Sequence, residues 1–371
     1  MTKSKLFWGS VCVLICIFLF RSYKGPEKQS RKIQGNTRII TDMKTRNFAV
    51  PDPIRRIALL GGPTGQVAFI LGVQDSLCAV TNTLKMSTLV REMYPKIKDL
   101  PGPRTTSGSI NIEELIRSNP DIAVAGDIDG NIVLEKTRIP VAFLEDSMGE
   151  GIVDIKKEIR FYGYLFNADD RAEIYVKFLD RITAIVKERT KDIPVESRKK
   201  VFQGYNPGHL VTLGGDTFMQ EHIETAGCLN TAKAVTTIGQ RTGLHSGLAE
   251  VSMEQVLDWN PDILVINSGS AEDLFENPQW KTIKAVRDAQ IYLQPAGVFI
   301  FNRPTAESAV IFPLWLAEKA YPERFNDVCI NCLVKEFYQI VFGFDLTDSQ
   351  VENVLNGTYE LKMMKGIRHK G

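Results

Sequence analysis

Residues 112–125 read IEELIRSNPDIAVA, and residues 253–266 read MEQVLDWNPDILVI. Aligned without gaps, the two stretches share a glutamate at Glu113 and Glu254, the run Asn-Pro-Asp-Ile, and a valine at Val124 and Val265. Their other apolar positions match in kind. Each copy predicts a short helix that proline stops and that feeds a buried strand, because the residue before proline is driven out of helical geometry. One Asn-Pro-Asp is an ordinary helix-to-strand turn. Two such copies, one in each half of the chain, predict a pair of related lobes.

Outward from this repeat, the same alternation recurs. Ile57–Leu60 is a strand candidate closed by the turn Gly61-Gly62-Pro63-Thr64, and Val67, Ile70 and Leu71 form a helical stripe. Further strands are expected at Leu77–Val80, Asp121–Ala125 and Ile139–Leu144, then at Lys200–Tyr205, Asp262–Ile266 and Gln290–Leu293. Strands alternating with helices predict parallel sheets covered on both faces. Between the halves, Ile174, Tyr175, Phe178, Ile182, Ile185 and Val186 share one helical face from Asp169 to Thr190, with Asp169 and Asp170 as N-terminal caps and Pro194 as the stop. At 1.5 Å per residue that helix spans roughly 33 Å, and it joins two α/β units stiffly. The expectation is an α/β fold of two lobes, each a mostly parallel sheet flanked by helices, joined by one long helix with a ligand cleft between them. The segments are an N-terminal piece (1–36), a first lobe (53–150), a connecting helical segment (151–194), a second lobe (199–325) and a C-terminal extension (326–371). In that extension Cys329–Phe342 and Asp348–Leu355 read as helices that pack on the second lobe or trail from it.

With 371 residues, 44% hydrophobic and 24% charged, the chain has the make-up of a globular protein large enough for two such units. A formal net charge of +1 argues against nucleic acid as a partner. The N-terminus departs from the average: Lys3 and Lys5 precede an apolar run from Leu6 to Phe20, which a basic stretch follows. This is the pattern of an export signal, and with no small-residue cleavage site it favours an uncleaved membrane anchor, a cleaved signal being the alternative. Of the six cysteines, Cys78 and Cys228 read as buried core residues. Cys329 and Cys332 lack a second pair or a histidine cluster for a metal site; a local disulfide is one reading, and incidental spacing is preferred.

In order and spacing, Arg56–Gly72, the two repeats and QPAGVFIFNRPTAESAVIFPLWLAEKAYPERF from Gln294 resemble the substrate-binding proteins of ABC importers for iron–siderophore, haem and cobalamin, whose two lobes are joined by a single long helix. The resemblance covers Pro53 to Phe325. It implies a ligand held between the lobes by loops at the carboxyl ends of strands, here Gly61–Thr64, Arg104–Ser109, Tyr205–Asp216 and Gly297–Arg303, with Gly239–Gly247 as a further candidate. The candidate ligand-binding residues are Thr64, Arg104, Ser107, Tyr205, Arg241, Phe299, Phe301 and Arg303.

Arginine offers a planar fork of donors to an oxygen-rich anion, and the phenylalanines offer flat apolar faces. Tyr205, His209 and His245 carry possible metal donors. Against these stand solvated surface charge for the arginines and histidines, and core packing for Phe299 and Phe301. The absence of a compact Tyr/His/carboxylate cluster points to a chelated metal or an anionic complex rather than a bare ferric ion. Iron–siderophore leads, with corrinoid, haem or an oxoanion such as molybdate behind it.

The resemblance further implies that Glu113 and Glu254 engage an ABC permease, which works with its ATPase; plain exposed first-turn glutamates are the competing reading. No catalytic residues, protein-bound metal or cofactor are expected. The chain lacks G-x-G-x-x-G, P-loop, G-x-S-x-G and H-E-x-x-H patterns, which argues against an enzyme. A membrane-tethered ligand sensor of the same fold is the other rival. The expected protein is monomeric and extracytoplasmic, tethered by its N-terminus or released from it.

Overall fold

The computed structural model describes residues 36–105, 108–144, 151–204, 209–237 and 247–359. The apolar run at 6–20 and the segment expected to anchor the chain lie outside them. Among the described residues no helix is long and apolar enough to cross a membrane.

Short apolar strands with both faces covered form two four-stranded sheets, as expected where near-continuous Val, Ile and Leu runs alternate with helices. A two-stranded sheet of β1 (Asn36–Thr41) and β2 (Asn47–Asp52) precedes them. The first lobe holds β3 (Ile57–Leu59), β4 (Leu77–Ala79), β5 (Ile122–Ala125) and β6 (Val141–Phe143), in spatial order β4-β3-β5-β6 and all parallel. The second holds β7 (Lys200–Gln203), β9 (Leu229–Asn230), β11 (Ile263–Ile266) and β12 (Ile291–Leu293), in order β9-β7-β11-β12 and again all parallel. A small antiparallel pair, β8 (Val211–Thr212) with β10 (Ala249–Glu250), completes it. The order is the same in both lobes, so the repeat seen in sequence extends to whole-lobe topology.

The repeated segment does the same work twice. Asn119 and Asn260 end their helices in left-handed conformation, with φ of 48° and 41°, which asparagine tolerates better than most residues. The aspartate two residues on then closes the start of the neighbouring strand. Asp121 Oδ2 accepts from the backbone N–H groups of Arg55 at 2.9 Å and Arg56 at 3.0 Å. In the second lobe Asp262 Oδ2 accepts from Lys200 N–H at 2.8 Å. Even the cations recur: Arg56 Nε donates to Asn119 O at 2.8 Å, and Lys200 Nζ donates to Trp259 O at 2.9 Å.

The linking helix runs Asp169–Thr190, as predicted, but its cap differs: Ala168 holds the N-cap position with no side-chain bond, while Asp169 and Asp170 lie in the first turn. There they still favour the positive end of the helix dipole. Tyr175, Phe178, Ile182 and Val186 are buried in the main core.

The lobes exchange hydrogen bonds reciprocally at the helices that follow their last strands. Helix Ile152–Phe166 starts with Ile152 N–H donating to Glu221 Oε2 of the second lobe at 2.7 Å. Helix Ala306–Ala320 starts with Glu307 N–H donating to Gln66 Oε1 of the first lobe at 3.0 Å.

The C-terminal helices Ile330–Phe337, widened by a π turn over Tyr338–Phe342, and Asp348–Leu355 do more than cover the second lobe. Val354 O accepts from Ala296 N–H at 3.0 Å on that lobe. Gln350 Nε2 and the Tyr359 hydroxyl both donate to Glu92 of the first lobe, at 2.8 and 3.0 Å. Arg171 of the linking helix donates to Ile340 O at 3.1 Å. The extension therefore touches both lobes, which its amphipathic pattern alone did not predict.

Cys329 and Cys332 are joined in a disulfide, correcting the expectation of incidental spacing. Cys329 caps the helix that begins at Ile330, so Cys332 stands about one turn away, with a Cα separation of 5.2 Å, within disulfide reach. Cys78 and Cys228 are free and buried, as read from their apolar neighbours.

Candidate functional site

The carboxyl ends of the two parallel sheets face each other where the loop after β3 meets the loop after β12. After β3, Thr64 is buried and its hydroxyl donates to Gly61 O at 2.8 Å, which pins the turn. Gly62 of that turn lies against the second lobe: a β-carbon there would stand 3.2 Å from Phe299 Cζ. Phe299 is buried, yet it joins none of the hydrophobic core clusters, and its ring edge lies between the turn of one lobe and the loop of the other. Phe301, by contrast, is fully buried within the main core cluster, and its expected role as a ligand face is corrected to packing.

Arg104 sits on an extended segment bridged to Thr81 and Ile110. Its guanidinium pairs with Asp129, in the first turn of helix Asp127–Lys136 just past β5. The cation is thus held in place and largely neutralised within its own lobe. Beside it Thr105 and Ser109 share a hydroxyl hydrogen bond of 2.8 Å across the loop whose Ser107 lies outside the described residues. Arg303 is half-buried on the loop before helix Ala306–Ala320, where it donates to Asn302 O at 2.8 Å. Tyr205, Arg241 and His245 also fall outside the described residues, and His209 is exposed. Asp216, inside the expected Tyr205–Asp216 loop, acts as an anchor. Burial works to raise its pKa, but the hydroxyl of Thr236 and the amide and hydroxyl of Thr237 outweigh that and hold its carboxyl below the usual range.

Under the Gly297–Phe299 loop lies a fully buried carboxyl that sequence reading missed. Glu307 accepts from the amides of Val298 at 2.9 Å and Phe299 at 3.4 Å, and from the Tyr338 hydroxyl. Burial pushes its pKa up to about 8 despite the opposing amide bonds. A side chain on Gly297 would strike both the Glu307 carboxyl and the Tyr338 hydroxyl, so only glycine lets the loop lie this close.

Three amides also escaped the sequence reading. Gln203 ends β7, Asn267 follows β11 and Gln294 follows β12, so all three stand at the carboxyl edge of the second sheet. Gln203 Nε2 donates to Asn267 Oδ1 at 2.6 Å and to Gln294 Oε1 at 2.7 Å. A polar residue closing each of three apolar strands was the signal available beforehand. Among the described residues no group of three or more His, Cys, Asp or Glu is placed to hold a metal ion.

Glu113 and Glu254 occupy matching places in the first turns of helices Ile112–Arg117 and Met253–Trp259, and both are exposed. Glu113 makes one loose ion pair with Arg117 at 3.5 Å, its side chain 85% exposed, which leaves it available to a partner. A cavity of about 510 Å³ lies apart from these loops, lined by residues such as Trp315, Lys319, Phe325 and Cys329.

The chain resembles the molybdate-binding protein MolA of Haemophilus influenzae, at 25% identity over 81% of this chain and 90% of that protein. Its fold matches a periplasmic solute binding protein from Veillonella parvula, with a TM-score of 0.73, 22% identity and coverage of 87% of this chain and 98% of that one. Helicobacter pylori CeuE, solved in a Ni–His complex, matches with a TM-score of 0.67 and 22% identity, covering 85% of this chain and 98% of that one. Two parallel sheets of one topology, one linking helix and facing strand-end loops agree with a match to the periplasmic binding protein family over residues 57–297, and the chain belongs to that family.

Proposed function

We propose that this chain is the extracytoplasmic substrate-binding component of an ABC importer, capturing a metal chelate between its lobes and delivering it to a permease. The observation that carries the reading is the closure of the Gly62 turn on Phe299, which brings strand-end loops of both lobes around one space. Open α/β sheets bind ligands in that place. Thr64, Arg104, Ser107, Tyr205, Arg241, Phe299 and Arg303 are the proposed ligand-facing set. Exposed Glu113 and Glu254, one on each lobe at the same step of the repeat, are the proposed permease contacts. The reading entails binding without turnover.

Among the ligands, iron–siderophore leads. An oxoanion is the second reading, favoured by the likeness to a molybdate-binding protein. The test is to purify the full chain from its native source and record an absorption spectrum with elemental analysis. A bound metal with a visible band, and a thermal midpoint raised by the chelate, are the expected results. A colourless, metal-free protein stabilised by neither chelate nor oxoanion would end the proposal.

A further inference from the structure

The two lobes can be superposed strand by strand from their hydrogen-bond register. Leu59 pairs with Val124 as Gln203 pairs with Val265. Leu144 N–H donates to Ala125 O at 3.0 Å, as Gln294 N–H donates to Ile266 O at 2.9 Å. Gly126 follows β5 as Asn267 follows β11. The first lobe therefore places Leu59, Gly126 and Leu144 where the second places Gln203, Asn267 and Gln294. The topology itself demands no polar atom at these three positions.

The amides are nonetheless nearly or fully buried, at 0%, 2% and 0% exposure, and their mutual bonds leave Gln203 Oε1, Asn267 Nδ2 and Gln294 Nε2 without a partner. Leaving buried polar atoms unpaired is costly, so a fold that tolerates apolar residues here would not keep three such groups for stability alone. The unpaired set contains donors and an acceptor together. Turning all three amides over keeps both mutual bonds and leaves one donor group with two acceptors instead of two donor groups with one acceptor, so the mixed character does not depend on how the amides are oriented.

We infer that the Gln203–Asn267–Gln294 triad is the ligand-reading edge of the second lobe, and that it selects an organic chelator carrying amide or hydroxyl groups over an acceptor-only oxoanion. A neutral group with both an N–H or O–H and a carbonyl satisfies the set, whereas a tetrahedral oxoanion leaves the acceptor unmatched. The inference rests on the importer reading above and narrows its ligand.

The test measures binding of a ferric trihydroxamate bearing secondary amides, and of molybdate, to the full chain and to variants that install the first lobe's residue, Gln294→Leu and Gln203→Leu. The wild-type chain is expected to bind the ferric trihydroxamate and not molybdate. Gln294→Leu should weaken that binding about tenfold or more while its thermal midpoint stays level or rises. Binding of the trihydroxamate within twofold of wild type in both variants would remove the triad from the site and leave the importer reading standing. Tight molybdate binding by the wild type, without the chelate, would overturn the ligand class and again leave that reading intact. Binding of neither probe also overturns the inference, and the importer reading then stands or falls on the metal content of the native protein.

Discussion

The outer ends of the two lobes are alike and their inner ends are not. At the outer ends, Asn119 and Asn260 adopt the same left-handed turn and Asp121 and Asp262 close the same strand starts, and at the opposite ends of the repeated helices Glu113 and Glu254 stand exposed at the same step. At the inner ends, the first lobe offers Leu59, Gly126, Leu144 and an arginine held by Asp129, while the second offers three amides. Under the proposed reading, repetition is kept where both lobes do one job and lost where each would meet a different part of a ligand. The pattern associates the repeated face with a shared partner and the diverged face with cargo.

The largest test reverses both repeated glutamates. A Glu113→Arg/Glu254→Arg chain should lose solute uptake almost completely, because like charges set against a cationic permease surface repel. Its ligand affinity, measured in the same preparation, should not move. Normal uptake would dissolve the link between repetition and partner.

Next in size is Glu307, whose counterpart at the same step of the first lobe's helix is the exposed Val153. With its pKa raised from 4.5 to about 8, its contribution to stability is complete below pH 4.5 and is lost as pH rises through about 8. Glu307→Gln should remove that decline, amounting to a few kcal/mol at alkaline pH, and flatten the thermal midpoint between these values. An unchanged pH profile would show that this carboxyl titrates normally.

Gly204 is the third point of contrast. It stands where the first lobe has Leu60, at φ 133°, and a β-carbon there would collide with Val211 O and lie 2.7 Å from Thr212 Cα. Gly204→Ala should cost about 2–4 kcal/mol in chemical denaturation, whereas glycine-to-alanine changes at permissive sites are neutral or stabilising.

Smallest are the two aspartates. Asp121→Ala and Asp262→Ala should each cost about 2 kcal/mol through lost charge-assisted bonds to strand amides. For Asp262, burial opposes ionisation, but Lys284 and the Lys200 amide hold the carboxyl below its usual range. Its stabilisation is present above the ordinary carboxylate pKa and disappears as pH falls through the depressed value. Asp262→Asn should therefore flatten part of the acid limb of stability, and identical acid limbs in wild type and variant would contradict the shift.

The strands at 77–79, 122–125 and 291–293 and the helix at 169–190 could be read from apolar runs and helical spacing, because burial imposes those patterns locally. The candidate site was legible only in part. Thr64, Arg104, Phe299 and Arg303 lie on or beside the strand-end loops the family pattern singled out, yet nothing local distinguished Phe299 from Phe301, two residues apart. The core claimed one, and the space above Gly62 the other. Asp169 and Asp170 looked like caps because cap and first-turn positions favour the same residue.

By itself, the sequence determined that there are two related α/β lobes joined by a stiff helix, since the repeat and the apolar periods are properties of neighbouring residues. Tertiary structure alone decided which polar groups meet. Gln203, Asn267 and Gln294 are separated by whole helices in the chain and become one cluster only because β7, β11 and β12 lie side by side. Glu307 looks like a routine first-turn glutamate until the Gly297 loop and Tyr338 bury it. Burial and long-range pairing set the charge and hydrogen-bonding state of such groups, and neither is written in the residues beside them.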